Sequence, residues 1–257
     1  RNLGYGPAVN LVARRTGARW VAAANADVAL SPGALATLVA AGRAEPGAGA
    51  LAPRLRTPDG STQHSVHAFP TPAVTLAFNL GLWRLRPGAG ERLCLHGRWD
   101  PDRPREVDWA HGAFLLIRRA AWVDVSGFDD DQWLYAEDLD ICWRLARAGW
   151  ATRYVPGAVA DHAVSAATRG ATWGAEREIR AQAAAYAWMA RRLGPGPARL
   201  CAAANLGGAL ARWAPLALAA RADPTRYAWP RDRQRVHLRM HLTGLGRAGG
   251  GPRPGPG

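Results

Sequence analysis

The chain has 257 residues, which is enough for one large domain or for one domain with an appendage. Hydrophobic residues make up 48% and charged residues 21% of the sequence, a balance that supports a packed core and excludes a wholly disordered protein. The formal net charge is +13, and every basic residue is an arginine. The three cysteines are widely spaced and form neither a disulfide framework nor a zinc motif, which favours a reducing, cytoplasmic location.

The basic surplus belongs to the C-terminal third, where residues 171–257 carry 14 arginines against 4 acidic residues. Such a segment can attract nucleic acid, anionic lipid or a polyanionic substrate, or it can be a solvated surface. Nucleic acid is the least favoured partner, because the aromatic residues do not interleave with the arginines in a recognised module. The most apolar stretch, residues 200–220, is interrupted by Arg212 and Pro215, so we expect contact with the inner face of a membrane rather than a span.

Strands and helices alternate along the first 160 residues. We predict, in chain order, a helix within residues 4–17, a strand over 20–24, a helix from Ser31 and Pro32 to about residue 42, and a strand over 49–55. Residues 61–105, rich in Pro, Gly, Trp and Arg, predict a long, partly ordered excursion. A strand over 113–117, a helix over 137–148 and a strand over 150–155 that ends at Pro156 and Gly157 complete the alternation.

This alternation predicts an α/β fold with a mostly parallel sheet and helices on its faces. We expect an α/β domain over residues 1–170, a basic helical extension over 171–243, and a disordered tail over 244–257, where Gly, Pro and Arg dominate.

Two sites at strand ends carry candidate metal ligands. Asp27 follows a buried strand, at the place where open α/β sheets bind ligands, and its carboxylate could hold a divalent cation. His162 follows the last predicted strand and could add a nitrogen ligand beside Asp27. Taken alone, Asp27 is more typical of a turn or a helix cap, and a lone histidine is most often structural.

Three acidic residues open the predicted helix that starts at residue 137. Glu137, Asp138 and Asp140 are favoured there by the helix dipole and could simply cap the helix. The apolar, aromatic run before them could also desolvate one carboxylate and raise its pKa, which suits a general base. Upstream, Gly112 and Ala113 would allow a ligand to approach the backbone closely.

Five segments in this order resemble the family 2 glycosyltransferases, most closely the bacterial rhamnosyltransferase-like branch; they are residues 4–10, 25–27, 109–119, 128–140 and 150–162. Residues 2–10 are similar to that branch's N-L-G-x-G-x-x-x-N segment, and residues 25–27 to its N-P-D form of the metal-binding D-x-D motif. Residues 53–63 are similar to P-x-L-x-x-x-D-G-x-x-Q. Residues 128–144 are similar to F-D-E-x-F-F-L-Y-x-E-D-x-D-L-C-x-R.

The resemblance implies a GT-A fold, a Rossmann-like αβα sandwich, and an inverting, metal-dependent transfer of a sugar, with rhamnose as the first candidate. The donor would be a nucleotide-diphosphate sugar, and the acceptor a hydroxyl of a cell-envelope glycan or lipid-linked sugar. Asp27 and His162 would bind Mg²⁺ or Mn²⁺, Asp138 would be the general base, and Glu137 would support it. The implied donor and acceptor contacts are Gly4, Asn10, Asn25, Trp109, Gly112, Ala113 and Asp140.

This sequence departs from the family pattern at three places. Ala26 replaces a proline, and Gln132 replaces an aromatic residue, which indicates a different acceptor pocket. The family's first βαβ unit, which holds the nucleoside, has no counterpart here, so we expect further residues before Arg1.

Two other classes remain open from the sequence. A nucleotidyltransferase with a related sheet would need a phosphate loop rich in glycine and basic residues near its start. A non-catalytic or degenerate sugar-nucleotide-binding scaffold would show no effect of Asp138→Asn.

Overall fold

The computed structural model describes residues 3–86, 88–132, 134–163 and 171–246. Within these ranges the chain folds into two compact units. The α/β unit contains residues 3–69 and 88–163, and the helical unit contains residues 70–86 and 171–246.

The α/β unit begins with α1 (Tyr5–Ala13), β1 (Trp20–Ala24), β2 (Val28–Leu30), α2 (Ala34–Ala44), β3 (Ala48–Arg56) and β4 (Val66–His67). The chain then enters the helical unit with α3 (Pro72–Asn79) and a 3₁₀ turn (Leu82–Leu85). It returns with α4 (Ala89–Arg92), β5 (Arg105–Val107), β6 (Trp109–Ala110), β7 (Phe114–Arg118), α5 (Arg119–Asp124), α6 (Glu137–Arg147) and β8 (Ala151–His162). The helical unit ends with α7 (Ala171–Arg192), α8 (Pro195–Ala222) and α9 (Pro224–Gly246).

The central sheet has the strand order β1-β7-β3-β8-β2, with β5 paired to β8. Strands β1, β3 and β8 run in one direction, while β7 lies antiparallel between β1 and β3. In the described sheet, β3 and β8 form the directly paired parallel ladder, and β1 runs in the same direction as both. The segment between β3 and β7 starts and ends at the same edge of the sheet, so β7 runs antiparallel to β3.

The turn-like dipeptide Pro156-Gly157 predicts the end of strand β8, but the strand does not end there. It continues to His162, and its register against β3 shifts after the Pro53–Val155 pair, where Arg54 next faces Val159. The residues between form a bulge, a device that tolerates proline and glycine inside a strand. The strand therefore reaches the same edge at which β1 and β3 end.

Both faces of the sheet are apolar and covered by helices, as the sequence predicts for an αβα sandwich. Successive residues of β3 and β7 point to opposite faces. The face covered by α5 and α6 buries Ala50, Ala52, Leu115, Ile117, Trp122, Phe128, Ile141 and Leu145. The face covered by α2 buries Leu38, Leu51, Leu55, Phe114 and Leu116.

Helix α2 begins at Ala34 rather than at the Ser31-Pro32 signal. Gly33 adopts a left-handed conformation with φ of 81°, so the chain turns once more before the helix starts. The predicted helix and the observed one still cover the same apolar positions, because Ala34 and Leu38 are buried.

The helical unit takes in residues 70–86, which the sequence places inside the excursion. Asn79 donates to Asn205 Oδ1 at 2.7 Å, and the Thr75 hydroxyl donates to Cys201 Sγ at 3.5 Å. A Cβ at Gly208 would lie 1.9 Å from Asn79 Oδ1, so only glycine permits this approach.

Helix α9 continues to Gly246, past the predicted start of the tail at residue 244, and the rest of that tail lies outside the described residues. None of the helices in the described ranges combines the length and the apolar character that crossing a bilayer requires.

Candidate active site

One edge of the central sheet, here called the site edge, collects the candidate residues. It is formed by the ends of β1, β3 and β8 and by the beginning of β7. The backbone N–H of Asn25 donates to Ala113 O at 2.9 Å, which joins the end of β1 to the chain entering β7. Ligands of α/β proteins bind at such strand ends because loops from several strands meet there.

The two predicted metal ligands meet at the site edge. Strand β2 pairs with the end of β8, with Val28 opposite His162, and the Ala163 N–H donates to Asp27 O at 3.0 Å. This register places His162 Nε2 at 3.5 Å from Asp27 Oδ1. Among the described residues, no group of three or more His, Cys, Asp or Glu side chains gathers around a common point. Two such side chains are fewer than the ligands a divalent cation takes, so a cation here would need further ligands from a bound molecule or water.

Asp138 lies in the first turn of α6 and is held by backbone donors. Its Oδ2 accepts from Gly112 N at 2.8 Å, and its Oδ1 accepts from Leu139 N at 2.8 Å. A Cβ on residue 112 would lie 3.1 Å from Asp138 Cβ, so glycine allows the carboxylate to approach the backbone this closely. On the other side, the Tyr5 hydroxyl donates to Gly112 O at 2.7 Å. Gly112 thus fixes Asp138 relative to both α1 and the site edge.

The turn that precedes α6 has an unusual backbone. Tyr135 and Ala136 both have positive φ, 62° and 61°, which non-glycine residues rarely adopt. The buried Gln132 side chain donates to the Tyr135 carbonyl and holds this turn. Positive φ at non-glycine residues is typical of functional sites, where the surrounding structure enforces it. The position that departs from the family's aromatic residue thus supports the turn that presents the acidic pair.

The acidic pair has a distinctive electrostatic environment. Burial, followed by the neighbouring Asp138 charge, raises the pKa of Glu137 to about 8. Glu137 Oε2 is buried and has no hydrogen-bond partner among the described residues. Burial and the charges of Glu137 and Asp138 also raise the pKa of Tyr5, so its hydroxyl remains a neutral donor. Burial and the Asp138 charge therefore both favour the protonated form of Glu137.

A group of aromatic and imidazole rings adjoins this pair. Trp109 stacks on His67 with a centroid separation of 4.5 Å, and its Nε1 donates to Ala68 O at 3.1 Å. His67 Nε2 lies 3.0 Å from His111 Nε2. Burial lowers the pKa of His111; the Asp138 charge opposes that shift and His162 adds to it. Trp109 thus forms a wall of the site together with these histidines.

Three of the predicted ligand contacts have structural roles in the described chain. The buried Asn10 amide accepts from Phe128 N at 2.9 Å and donates to Phe128 O and Asp130 Oδ1, both at 2.8 Å. The fully buried Asp140 accepts from Arg144 Nε at 2.7 Å. Gly4, with φ of 86°, precedes α1 and accepts the first helical hydrogen bond, from Ala8. These polar groups contact the protein's own backbone and side chains, and their expected donor or acceptor contacts stay predictions.

Sequence reasoning did not select Tyr5, Gln63, His67 or His111 as site residues. Gln63 and Tyr5 lie within the segments that resemble the family, so the motif itself was the available signal. His111 lies in the same way within residues 109–119, whereas His67 carries no such signal, because its position depends on pairing between β4 and β6, which sets it opposite Trp109.

We expect Asn10→Ala to reduce the free energy of unfolding by about 2–4 kcal/mol, because the N–H and C=O of Phe128 lose their buried partner. Urea unfolding followed by circular dichroism measures this loss. Val12→Ala, on the exposed face of the same helix, serves as the control and should change stability by less than about 0.5 kcal/mol. A loss below about 1 kcal/mol in Asn10→Ala would show that other contacts hold the loop.

An αβα sandwich with an Asp–His pair and a helix-borne acidic pair at one sheet edge is the arrangement that the resemblance to GT-A glycosyltransferases implies. The profile described as "Glycosyl transferase family group 2" matches residues 102–239, which is more than half of the chain. The chain therefore belongs to this family, and the resemblance found in its motifs is confirmed.

Curated relatives indicate the rhamnosyltransferase-like branch. The chain is 37% identical over 178 residues to "N-acetylglucosaminyl-diphospho-decaprenol L-rhamnosyltransferase" of Mycobacterium tuberculosis (strain ATCC 25618 / H37Rv), covering 63% of this chain and 56% of that protein. It is 46% identical over 56 residues to "Rhamnosyltransferase WbbL" of Escherichia coli (strain K12), covering 22% of this chain and 21% of that protein. The chain thus spans about half the length of the mycobacterial relative.

A solved structure supports the fold. The mannosyltransferase PcManGT from Pyrobaculum calidifontis, in complex with GDP-Man and Mn²⁺, matches with a TM-score of 0.52 at 19% identity, covering 95% of this chain and 67% of that one. The predicted α/β, GT-A fold class is confirmed.

Proposed function

We propose that this protein works as an inverting glycosyltransferase that moves a sugar from a nucleotide-diphosphate sugar to an acceptor hydroxyl. The observation that carries the proposal is the position of Asp138. Backbone N–H groups hold its carboxylate at the same sheet edge that carries the Asp27–His162 pair. A base and a diphosphate site on one edge are what a single displacement with inversion needs.

Asp27 and His162 would hold Mg²⁺ or Mn²⁺ in this proposal. When bound, such a cation supplies positive charge that stabilises a diphosphate leaving group. The mixed oxygen and nitrogen ligands of the pair suit either ion. Asn25, Gly112 and Ala113 would line the donor beside them, since the Asn25–Ala113 hydrogen bond brings these strand ends together.

Asp138 would accept the proton of the acceptor hydroxyl as that oxygen attacks the anomeric carbon. Each carboxylate oxygen accepts one backbone hydrogen bond, which orients the group and leaves further lone-pair positions for a proton. Glu137, whose pKa is raised to about 8, would be protonated and would avoid a second negative charge beside the base. Trp109 would contribute an apolar wall for the sugar or acceptor.

The substrates and cellular setting are part of the same proposal. The names of both relatives favour rhamnose as the transferred sugar, and the mycobacterial name specifies L-rhamnose and also favours a lipid-linked acceptor. Cell-envelope glycan synthesis on the cytoplasmic side of a membrane would supply such an acceptor. The arginine-rich C-terminal helices would then contact anionic lipid headgroups.

The test is a thermal melt of the 257-residue chain with Mn²⁺ and dTDP or UDP. At about 100 times its dissociation constant, a ligand should add roughly 2.7 kcal/mol and raise the melting temperature by about 5–11 °C. Asp27→Ala should abolish the metal-dependent shift, whereas Asp131→Ala, which removes an exposed carboxylate, should retain it. Equal shifts in wild type and Asp27→Ala, or none in either, would contradict the proposed donor site.

A further inference from the structure

The Gln63 side chain lies between His162, a proposed metal ligand, and His111. Its Oε1 is 2.7 Å from His162 Nδ1, and its Nε2 is 3.5 Å from His111 Nδ1. Its backbone N–H donates to Leu55 O at 2.8 Å, so the residue is anchored directly beyond β3. Gln63 is therefore placed to influence both rings.

The contact with His162 determines where that ring carries its proton. A carboxamide oxygen can only accept a hydrogen bond, so His162 Nδ1 has to carry the hydrogen. A neutral imidazole has one N–H, and Nε2 consequently keeps its lone pair. The Nε2 atom lies 3.5 Å from Asp27 Oδ1, so in the neutral form of the ring two acceptors adjoin the proposed cation position.

The opposite end of Gln63 gives a consistent arrangement. The carboxamide nitrogen can only donate, so His111 Nδ1 accepts and His111 Nε2 carries the hydrogen. His111 Nε2 then donates to His67 Nε2 across 3.0 Å. Burial lowers the pKa of both His111 and His67, which favours their neutral forms. A neutral imidazole ring has one nitrogen that accepts a hydrogen bond, as each of these two rings does here.

We propose that Gln63 is a positioning residue that fixes the tautomer of His162, so that the Nε2 lone pair is directed at the cation position beside Asp27. It acts as one member of a directional row, His162–Gln63–His111–His67. The role of the cation rests on the proposed function, whereas the tautomer is a property of the metal-free protein. Groups that donate or accept behind a metal-binding histidine set its ring orientation and its affinity for metal.

The tautomer is measured directly by long-range ¹H–¹⁵N correlation spectra of the metal-free 257-residue chain, with His162 assigned by His162→Gln. In the wild type, His162 should show the hydrogen on Nδ1, and Gln63→Leu should shift the ring toward a mixture of the two neutral forms. Gln63→Glu retains an acceptor for Nδ1 and should keep the wild-type tautomer at His162. A hydrogen on Nε2 in the wild type, or an identical spectrum in Gln63→Leu, would overturn the proposal.

Binding of Mn²⁺ alone, followed by electron paramagnetic resonance, gives the second readout. Gln63→Leu should weaken Mn²⁺ binding by about 10- to 100-fold, and Gln63→Glu should remain within about threefold of wild type. Gln182→Leu, the same change in the helical unit, should leave binding unaltered. If Gln63→Leu binds Mn²⁺ as tightly as the wild type, the positioning role is wrong. If Asp27→Ala instead matches the wild type, the proposed metal site fails, and the spectra alone decide the role of Gln63.

Discussion

Replacement of Asp138 by asparagine is expected to lower the rate constant for sugar transfer by about 10²- to 10⁴-fold. Asparagine has nearly the same shape and can still accept a backbone hydrogen bond, but its amide cannot take a proton from the acceptor. The loss should fall on kcat rather than on the KM for the donor, because the proton moves in the transition state. Release of nucleoside diphosphate in the presence of acceptor, with KM and kcat determined separately, measures this effect.

Asp131→Asn is the matched control for this experiment. Asp131 is exposed in the loop before α6, so its replacement should leave kcat within about twofold of wild type. A similar kcat in wild type and Asp138→Asn would exclude Asp138 as the base. Absence of turnover in both proteins, with metal-dependent donor binding retained, would instead favour the non-catalytic alternative that the sequence leaves open.

Replacement of Glu137 by glutamine is expected to raise the free energy of unfolding relative to wild type, by an amount that increases with pH. The pKa of Glu137 is raised from 4.5 to about 8 in the folded protein, so the folded state binds the proton more tightly than the unfolded state. The stability that the protonated Glu137 carboxyl group contributes is fully present below about pH 4.5 and is lost as the pH rises through about 8. Glutamine cannot ionise, so the variant does not undergo this loss.

The difference in unfolding free energy between Glu137→Gln and wild type should grow by on the order of 3 kcal/mol between about pH 5 and pH 9. Urea unfolding at the two pH values measures it. Glu106→Gln, at an exposed carboxylate of the same unit, should show no comparable change with pH. A pH-independent difference for Glu137→Gln would mean that Glu137 is ionised in the folded protein at neutral pH.

The difference between local and long-range information is clearest at the proposed metal pair. The sequence identifies Asp27 because an acidic residue directly follows a buried apolar strand. For His162, however, the local signal at Pro156 and Gly157 indicates that the strand has ended. Only the pairing of β8 with β3 shows that these residues form a bulge and that the strand continues to the site edge. The resemblance to the family supplied His162, while the geometry supplies the reason for its position.

The same contrast holds for polar residues within the motifs. Asn10 and Asp140 stand in segments that resemble the family, and the sequence gives no means of separating ligand contacts from buried structural contacts. Their partners, Phe128 and Arg144, are fixed by packing of the α1 end against the loop before α6 and by the i to i+4 spacing within α6. Asp138 differs because its partner Gly112 belongs to the site edge itself.

The sequence by itself determined the α/β class, most of the helices and strands, the family and the two acidic segments, because these follow from periodicity and from short motifs within one stretch of chain. The tertiary structure decided the antiparallel insertion of β7, the bulge in β8, the assignment of residues 70–86 to the helical unit, and the row of side chains through Gln63. These features depend on which distant segments pair and on which groups remain for hydrogen bonding once they are buried. Long-range packing determines these features, and no single local sequence pattern predicts them.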